Sequence, residues 1–170
     1  MLRLMLLRHA KSARPAGVDD HERPLAERGR SASSSMGTYM AQAGLLPDLA
    51  IVSTARRAQE TWELARSAFD VEIAQHDERR IYEASASAIL DVIKETGSGI
   101  RALLVVGHNP GFQELAVGLI GTARKSDLAR LRRKFPTGGL VEIVFDAKGW
   151  AKASMGGGRL ERFETPKSVG

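Results

Sequence analysis

Three short apolar runs, each breaking off into polar chemistry at its C-terminal end, constrain this chain more than any other feature. Residues 2–7 lead into Arg8-His9, residues 49–52 into Ser53-Thr54, and residues 102–106 into Gly107-His108-Asn109-Pro110-Gly111. The runs lack a helical period and are too short for buried helices, so each reads as a buried strand. Between and after them lie helix-like segments, residues 26–43, 57–68, 86–94 and 112–120, most with apolar residues three or four apart. This alternation predicts an α/β fold: a three-layer sandwich with a mostly parallel central sheet and helices on both faces. Ligands of such sheets bind beyond the carboxyl ends of the strands, so the polar strand ends are expected to meet. Residues 141–145 and 150–155, around the turn-like Asp146-Ala147-Lys148-Gly149, suggest a terminal hairpin extending the sheet edge, with the stretch from Gly156 onward irregular.

At 170 residues, the chain fits one domain spanning 1–170. It has no cysteine, which excludes disulfides, Cys-ligated metals and a thiol nucleophile, and suits a reducing compartment. The apolar run at residues 4–7 falls far short of the roughly 20 residues of a membrane span and makes no signal-peptide core, so no membrane partner and a cytoplasmic location are expected. The net charge of +5 is concentrated in residues 124–134, whose removal leaves 19 basic and 19 acidic residues. With no aromatic residue inside it, that segment reads as a solvated helix face or a phosphate-attracting rim rather than a nucleic-acid groove.

Arg8-His9 follows the first strand, Arg56-Arg57 the second and His108 the third, so one mouth should hold two histidines and at least two guanidiniums. Arginine is permanently charged and matches phosphate oxygens in bidentate fashion, so such a cluster beside an imidazole favours a phosphoryl group. A neutral histidine can attack phosphorus and become phosphohistidine while surrounding cations stabilise the equatorial oxygens. Gly107 and the Asn109-Pro110-Gly111 turn let the backbone approach closely and start a helix whose first amides would add to the anion site. His21 and His76 lack such company and read as surface residues. Trp62, Trp150, Phe112 and Leu115 read as core. No His-x-x-x-His or carboxylate cluster supports a metal, and an Arg-rich pocket would repel one, so neither metal nor other cofactor is expected.

The segments Leu7-Arg8-His9-Ala10-Lys11-Ser12, Ser53-Thr54-Ala55-Arg56-Arg57-Ala58-Gln59-Glu60-Thr61 and Val106-Gly107-His108-Asn109-Pro110-Gly111 resemble, in order and spacing, the histidine phosphatase (phosphoglycerate-mutase-like) superfamily. Arg23-Pro24-Leu25 followed by Glu27-Arg28-Gly29 looks like the opening of the first helix in its small bacterial SixA-like phosphohistidine phosphatases. The resemblance spans nearly the whole chain. Ala10 stands where Gly is commoner in the family, and Glu60 where many members have Gln. The resemblance implies a phosphoglycerate-mutase-like fold, His9 as the phosphorylated nucleophile, and Arg8, Arg57 and His108 as the pocket gripping the phosphoryl oxygens. Arg57 matches the family position, which leaves Arg56 facing out. Glu83 is the positional candidate for a proton donor, with Asp20 and Glu22 behind it, and Thr137 is a candidate phosphate contact.

Only about 30 residues separate the second helix from the third strand, too few for a lid subdomain, so the mouth should be open. That favours a phosphorylated histidine-containing protein over a small phosphosugar, with inorganic phosphate or sulfate able to occupy the same pocket. Residues 124–134 could lie near the mouth and steer acidic partners. Two alternatives stay open: a small-molecule phosphomonoesterase of the same superfamily, and a non-catalytic phosphate- or RNA-binding module using the basic helix.

Overall fold

A computed structural model describes all residues, 1–170. Leu2–Arg8 forms β1, whose alternate side chains feed two cores: Leu2, Leu4 and Leu6 enter one, Met5 and Leu7 the other. This period of two is what a strand buried on both faces requires. The second run forms β2 (Leu49–Ser53), and the third forms β4 (Ala102–Gly107). Both pair in parallel, β4 lying between β1 and β2. The sheet has seven strands in the order β3-β2-β4-β1-β6-β7-β5, with β3 at Ala74–Glu78, β5 at Ile120–Thr122, β6 at Leu140–Phe145 and β7 at Gly158–Glu164. Only the β1–β6 and β6–β7 pairings are antiparallel.

Helices α1 (Glu27–Gln42) and α2 (Arg56–Arg66) cover one face of the sheet. Helices α3 (Ala86–Lys94), α4 (Gly111–Leu119) and α5 (Lys125–Arg133) cover the other. α1 is poor in apolar residues and buries Gly29, Ser33, Met36, Gly37 and Met40 instead, one stripe at helical spacing. Two of these are glycines because neighbouring backbone comes too close for a side chain. A Cβ on Gly29 would lie 2.0 Å from the Lys11 carbonyl oxygen, and one on Gly37 2.2 Å from that of Ala65. The first contact anchors the segment after β1, which also bonds Ala26 N–H to Lys11 O at 2.9 Å and bridges Ser12 to Leu25. Trp62, Trp150, Phe112 and Leu115 are at most 1% exposed, as expected of core residues.

Three expectations are corrected. The partner of β6 is β7, not residues 150–155: Trp150–Lys152 form a single 3-10 turn, and the glycines after Met155 lead into a strand. Its apolar Leu160 and Phe163 face the core past a register shift between Glu142 and Ile143, and that shift hides the alternation in the sequence. An additional short helix, α6 (Pro166–Val169), ends the chain where no regular structure is expected. Ala74–Glu78 also goes unforeseen, because an edge strand with four exposed residues shows no hydrophobic pattern. No helix is long and apolar enough to cross a membrane.

Candidate active site

β1, β2 and β4 run parallel, so their C-terminal ends open at one edge of the sheet. There a cavity of about 320 Å³ is lined by Arg8, His9, Lys11, Ser12, Arg14, Asp20, Arg23, Arg57, Asn109 and Thr137. His108 packs against His9 with ring centroids 5.1 Å apart. The structure thus brings together Arg8, His9 and Arg57 around one cavity, with His108 beside the nucleophile candidate.

The orientation of His9 is set by its neighbours. Its Nδ1–H donates to the Ala10 carbonyl at 2.8 Å, so Nε2 carries the lone pair. Ala10 is held in turn, its N–H donating to Thr61 Oγ1 at 3.0 Å while the Thr61 hydroxyl donates to Arg57 O at 2.7 Å. Gly138 N–H bridges Arg8 O and His9 O from the other side, in the turn that follows Thr137. Burial first, then the Arg57, Arg8 and Arg23 guanidiniums, push the His9 imidazole down to about 4, against the raising effect of the Ala10 bond. The imidazole is therefore neutral, and able to attack, throughout the neutral range.

His108 is 7% exposed, and its tautomer follows from the needs of Ser53. The fully buried Ser53 Oγ accepts from Ala55 N–H at 3.2 Å, and the only partner left for its proton is His108 Nε2 at 2.7 Å. The hydroxyl therefore donates to Nε2, which leaves the proton on Nδ1. That Nδ1 has no partner in the protein. Burial and the nearby His9 and Arg57 charges push His108 down to about 3. A neutral ring with one free N–H can donate a hydrogen bond to an oxyanion.

The guanidiniums differ in what they have left to offer. Arg8 donates from Nη1 to Phe135 O at 3.0 Å, and its buried Nε has no partner. Burial and the Arg57 charge lower the Arg8 pKa, the mark of cations crowded together. Arg57 Nη1 donates to Asp20 O at 2.7 Å and Nη2 to the Asp20 carboxylate at 3.1 Å. Arg23 Nη1 donates to the other carboxylate oxygen at 2.7 Å, and Arg23 also donates to Ser12 Oγ. The Tyr82 hydroxyl completes the ring, donating to Asp20 Oδ2 at 2.5 Å. Tyr82 first, then Arg23 and Arg57, hold the Asp20 carboxyl well below the usual carboxylate range. Asp20 is the one acid lining the cavity, and it is ionised. Arg56 is exposed and pairs with Glu60.

Glu83 is exposed and does not line the cavity, and its backbone lies in the left-handed region at φ 53°. Burial, then the Asp20 and Glu83 carboxylates, raise the pKa of the Tyr82 hydroxyl. Glu22 is exposed and pairs with His21. Thr137 is part of the cavity wall. Most of the first amides of α4 are engaged within the protein. Those of Phe112, Gln113 and Glu114 donate to His108 O, Asn109 Oδ1 and Pro110 O.

His21 is not the isolated surface residue expected. Its Nε2 bonds Thr54 Oγ1 at 2.8 Å, and its ring meets Tyr82 edge-on at 4.8 Å, while Tyr82 meets His108 at 5.5 Å. His76 is solvent-exposed and reaches only Glu78. Tyr82, Thr61 and Arg23 are site residues that adjacency to a strand end, the signal that exposes His9 and His108, does not mark: Tyr82 and Thr61 act through partners 62 and 51 positions away, and Arg23 through the Asp20 of an intervening turn. No three His, Asp or Glu side chains cluster so as to hold a metal ion.

Comparison with known proteins gives this edge of the sheet a context. The histidine phosphatase superfamily (branch 1) matches residues 4–85. The Mycobacterium tuberculosis protein Rv1276c is 35% identical over 164 residues, covering 95% of this chain and all of its own length. The Agrobacterium tumefaciens protein provisionally designated phosphohistidine phosphatase SixA superposes with a TM-score of 0.82 at 29% identity, over 97% of this chain and 98% of its own. A protein histidine phosphatase SixA complexed with tungstate shares the fold at 18% identity and a TM-score of 0.80, over 99% of this chain and all of its own. With its α/β sheet, its strand-end histidines and these relatives, the chain belongs to the histidine phosphatase superfamily and is a phosphatase.

Proposed function

We propose that residues 1–170 act as one unit, a protein phosphohistidine phosphatase working through a covalent intermediate on His9. The observation that carries this reading is the tautomer lock on His9, whose Nδ1–H is tied to Ala10 O at 2.8 Å so that Nε2 presents its lone pair to a cavity walled by arginines. In the first step His9 Nε2 forms a bond to phosphorus while the bond from phosphorus to the substrate imidazole nitrogen breaks. That nitrogen leaves with the bonding pair and takes a proton from solvent. In the second step water attacks phosphorus, the His9 Nε2–P bond breaks, and inorganic phosphate departs with the water's proton passing to solvent. Arg8, Arg57 and the free His108 Nδ1–H bind the phosphoryl oxygens as charge spreads over them, with Thr137 contributing a hydroxyl from the wall.

Choice of substrate rests on the proton donor. Alkoxide leaving groups need a positioned neutral acid, whereas an imidazole leaves phosphorus readily. The one carboxylate in the cavity, Asp20, is bound by Arg23, Arg57 and Tyr82 and cannot donate at neutral pH. Glu83, beside Tyr82, does not line the cavity and can at most assist a bulky leaving group. The designation of the Agrobacterium relative as a phosphohistidine phosphatase agrees with this assignment.

The test uses a phosphorylated histidine-containing phosphotransfer protein and, in parallel, a simple alkyl phosphate, with EDTA present throughout. Wild type should dephosphorylate the protein at least about 100-fold faster than the alkyl phosphate, and His9→Ala should abolish both activities. Turnover retained by His9→Ala would overturn the covalent mechanism. A preference for the alkyl phosphate would move the substrate to the small-molecule class.

A further inference from the structure

A cavity of about 570 Å³ lies away from His9, which is not part of its lining. It lies beside the catalytic cavity and shares Lys11 and Thr137 with it. Its other lining residues come from three further parts of the chain: Arg28 and Ala32 from the first turns of α1, Lys134 and Pro136 from the turn after α5, and Thr165, Pro166 and Lys167 from the corner between β7 and α6. Four cations line it and no acid does. None of the four forms an ion pair within the protein, although the molecule has eleven salt bridges elsewhere. The carboxylate next to the groove in sequence, Glu164, accepts from the Ser168 hydroxyl at 2.6 Å and is already engaged.

The walls of the groove are built to keep their shape. Gly138, at φ 75°, lies so close to the C-terminal corner that a Cβ would meet Pro166 Cγ at 2.8 Å. A capping box between Thr165 and Ser168 fixes that corner, and Gly29 presses on the Lys11 backbone. Braced backbone therefore carries four unpaired cations beside the cavity that holds His9. Three of them are lysines, point charges on flexible stems, and Ala32, Pro136 and Pro166 add apolar surface to the lining. A site built for one oriented phosphate uses bidentate arginine and backbone amides instead. Mobile ammonium groups in a partly apolar groove suit carboxylates whose spacing varies, as along a polypeptide.

We propose that this groove binds an acidic segment of the phosphoprotein substrate, holding carboxylates to one side of the phosphohistidine while His9 attacks. The proposal rests on the phosphohistidine reading and adds to it a rule of substrate choice. A phosphoryl compound filling only the catalytic cavity would not touch Arg28, Lys134 or Lys167.

The test compares two phosphohistidine peptides, one flanked by aspartates and glutamates and one by the matching amides, with an aryl phosphate as the small substrate. Wild type should favour the acidic peptide by about 5- to 20-fold in kcat/KM, the advantage shrinking with added salt. The triple variant Arg28→Gln, Lys134→Gln, Lys167→Gln should treat both peptides alike and hydrolyse the aryl phosphate at the wild-type rate. An undiminished acidic preference in the variant, or none in wild type, overturns the proposal. So does an equal loss on the aryl phosphate. Fluorescence anisotropy of a labelled, unphosphorylated acidic peptide tests the groove independently of catalysis. Binding to wild type but not to the variant supports the proposal even if neither phosphopeptide is turned over, an outcome that would sink only the phosphohistidine reading. Inorganic tripolyphosphate binding more tightly than the peptide, and losing its affinity in the variant, would assign the groove to small polyanions instead.

Discussion

Lowering the pH from about 7.5 to about 5 should cost this protein about 4 kcal/mol of folding stability, nearly all of it from His9 and His108. Both rings are buried and hold their pKa at about 4 and about 3, respectively. In the unfolded chain each returns to about 6.5. Between these values the unfolded state binds two protons that the folded state refuses, so stability is complete above about pH 6.5 and is lost as the pH falls through that window. At about pH 5 each imidazole contributes about 2 kcal/mol of the loss, a large part of the 5–15 kcal/mol typical of a folded domain. The Asp20 carboxyl, held well below its ordinary value, adds a loss of the same sign only below about pH 4, outside the interval tested. Equilibrium urea unfolding at several pH values, followed by the fluorescence of the buried Trp62 and Trp150, measures the effect directly. In the His9→Gln/His108→Gln double variant, which has no titrating group at either position, the loss should drop below about 1 kcal/mol. A wild-type loss below about 1 kcal/mol, or an unchanged loss in the double variant, would refute the claim that both imidazoles are buried in neutral form.

Catalysis should show the same ionisation. With His9 at about 4, about 90% of it stays neutral at about pH 5, against about 3% of an ordinary imidazole. Single-turnover phosphoenzyme formation, corrected for substrate ionisation, should therefore fall less than about twofold between pH 7 and pH 5, and an acid limb centred near 6.5 would contradict the site's electrostatics. Thr61→Val keeps shape but removes the acceptor of the buried Ala10 N–H and the donor to Arg57 O; chemical denaturation should register a loss of about 1–3 kcal/mol, and stability within about 0.5 kcal/mol of wild type would count against this link. Glu83→Gln should leave phosphoenzyme formation from phosphohistidine within about threefold of wild type, whereas a hundredfold drop would make Glu83 the proton donor.

How much of the site was legible follows from how each residue is positioned. His9, Arg8 and His108 stand directly after apolar runs, and a buried parallel strand delivers whatever follows it to the same edge. The Arg56-Arg57 pair was legible for a similar reason, in the first turn of the helix that follows β2, and the family resemblance singled out Arg57. The rest of the pocket was not. Asp20 joins Arg57 and Tyr82 across 37 and 62 positions, and His21 reaches Thr54 across 33, spacings that no local pattern encodes. Gly29 and Gly37 are required by backbone pressing on them from Lys11 and Ala65, contacts between segments remote in sequence.

Local composition by itself determined the alternation of strands and helices, the parallel core and the meeting of two imidazoles with a ring of guanidiniums, because alternating burial and strand direction are written residue by residue. Only the tertiary structure decided which ring nitrogen is free, that the pocket's carboxylate is ionised, that β7 rather than residues 150–155 closes onto β6, and that four unpaired cations face one groove. These depend on distance and desolvation between segments remote along the chain, and both are set by packing.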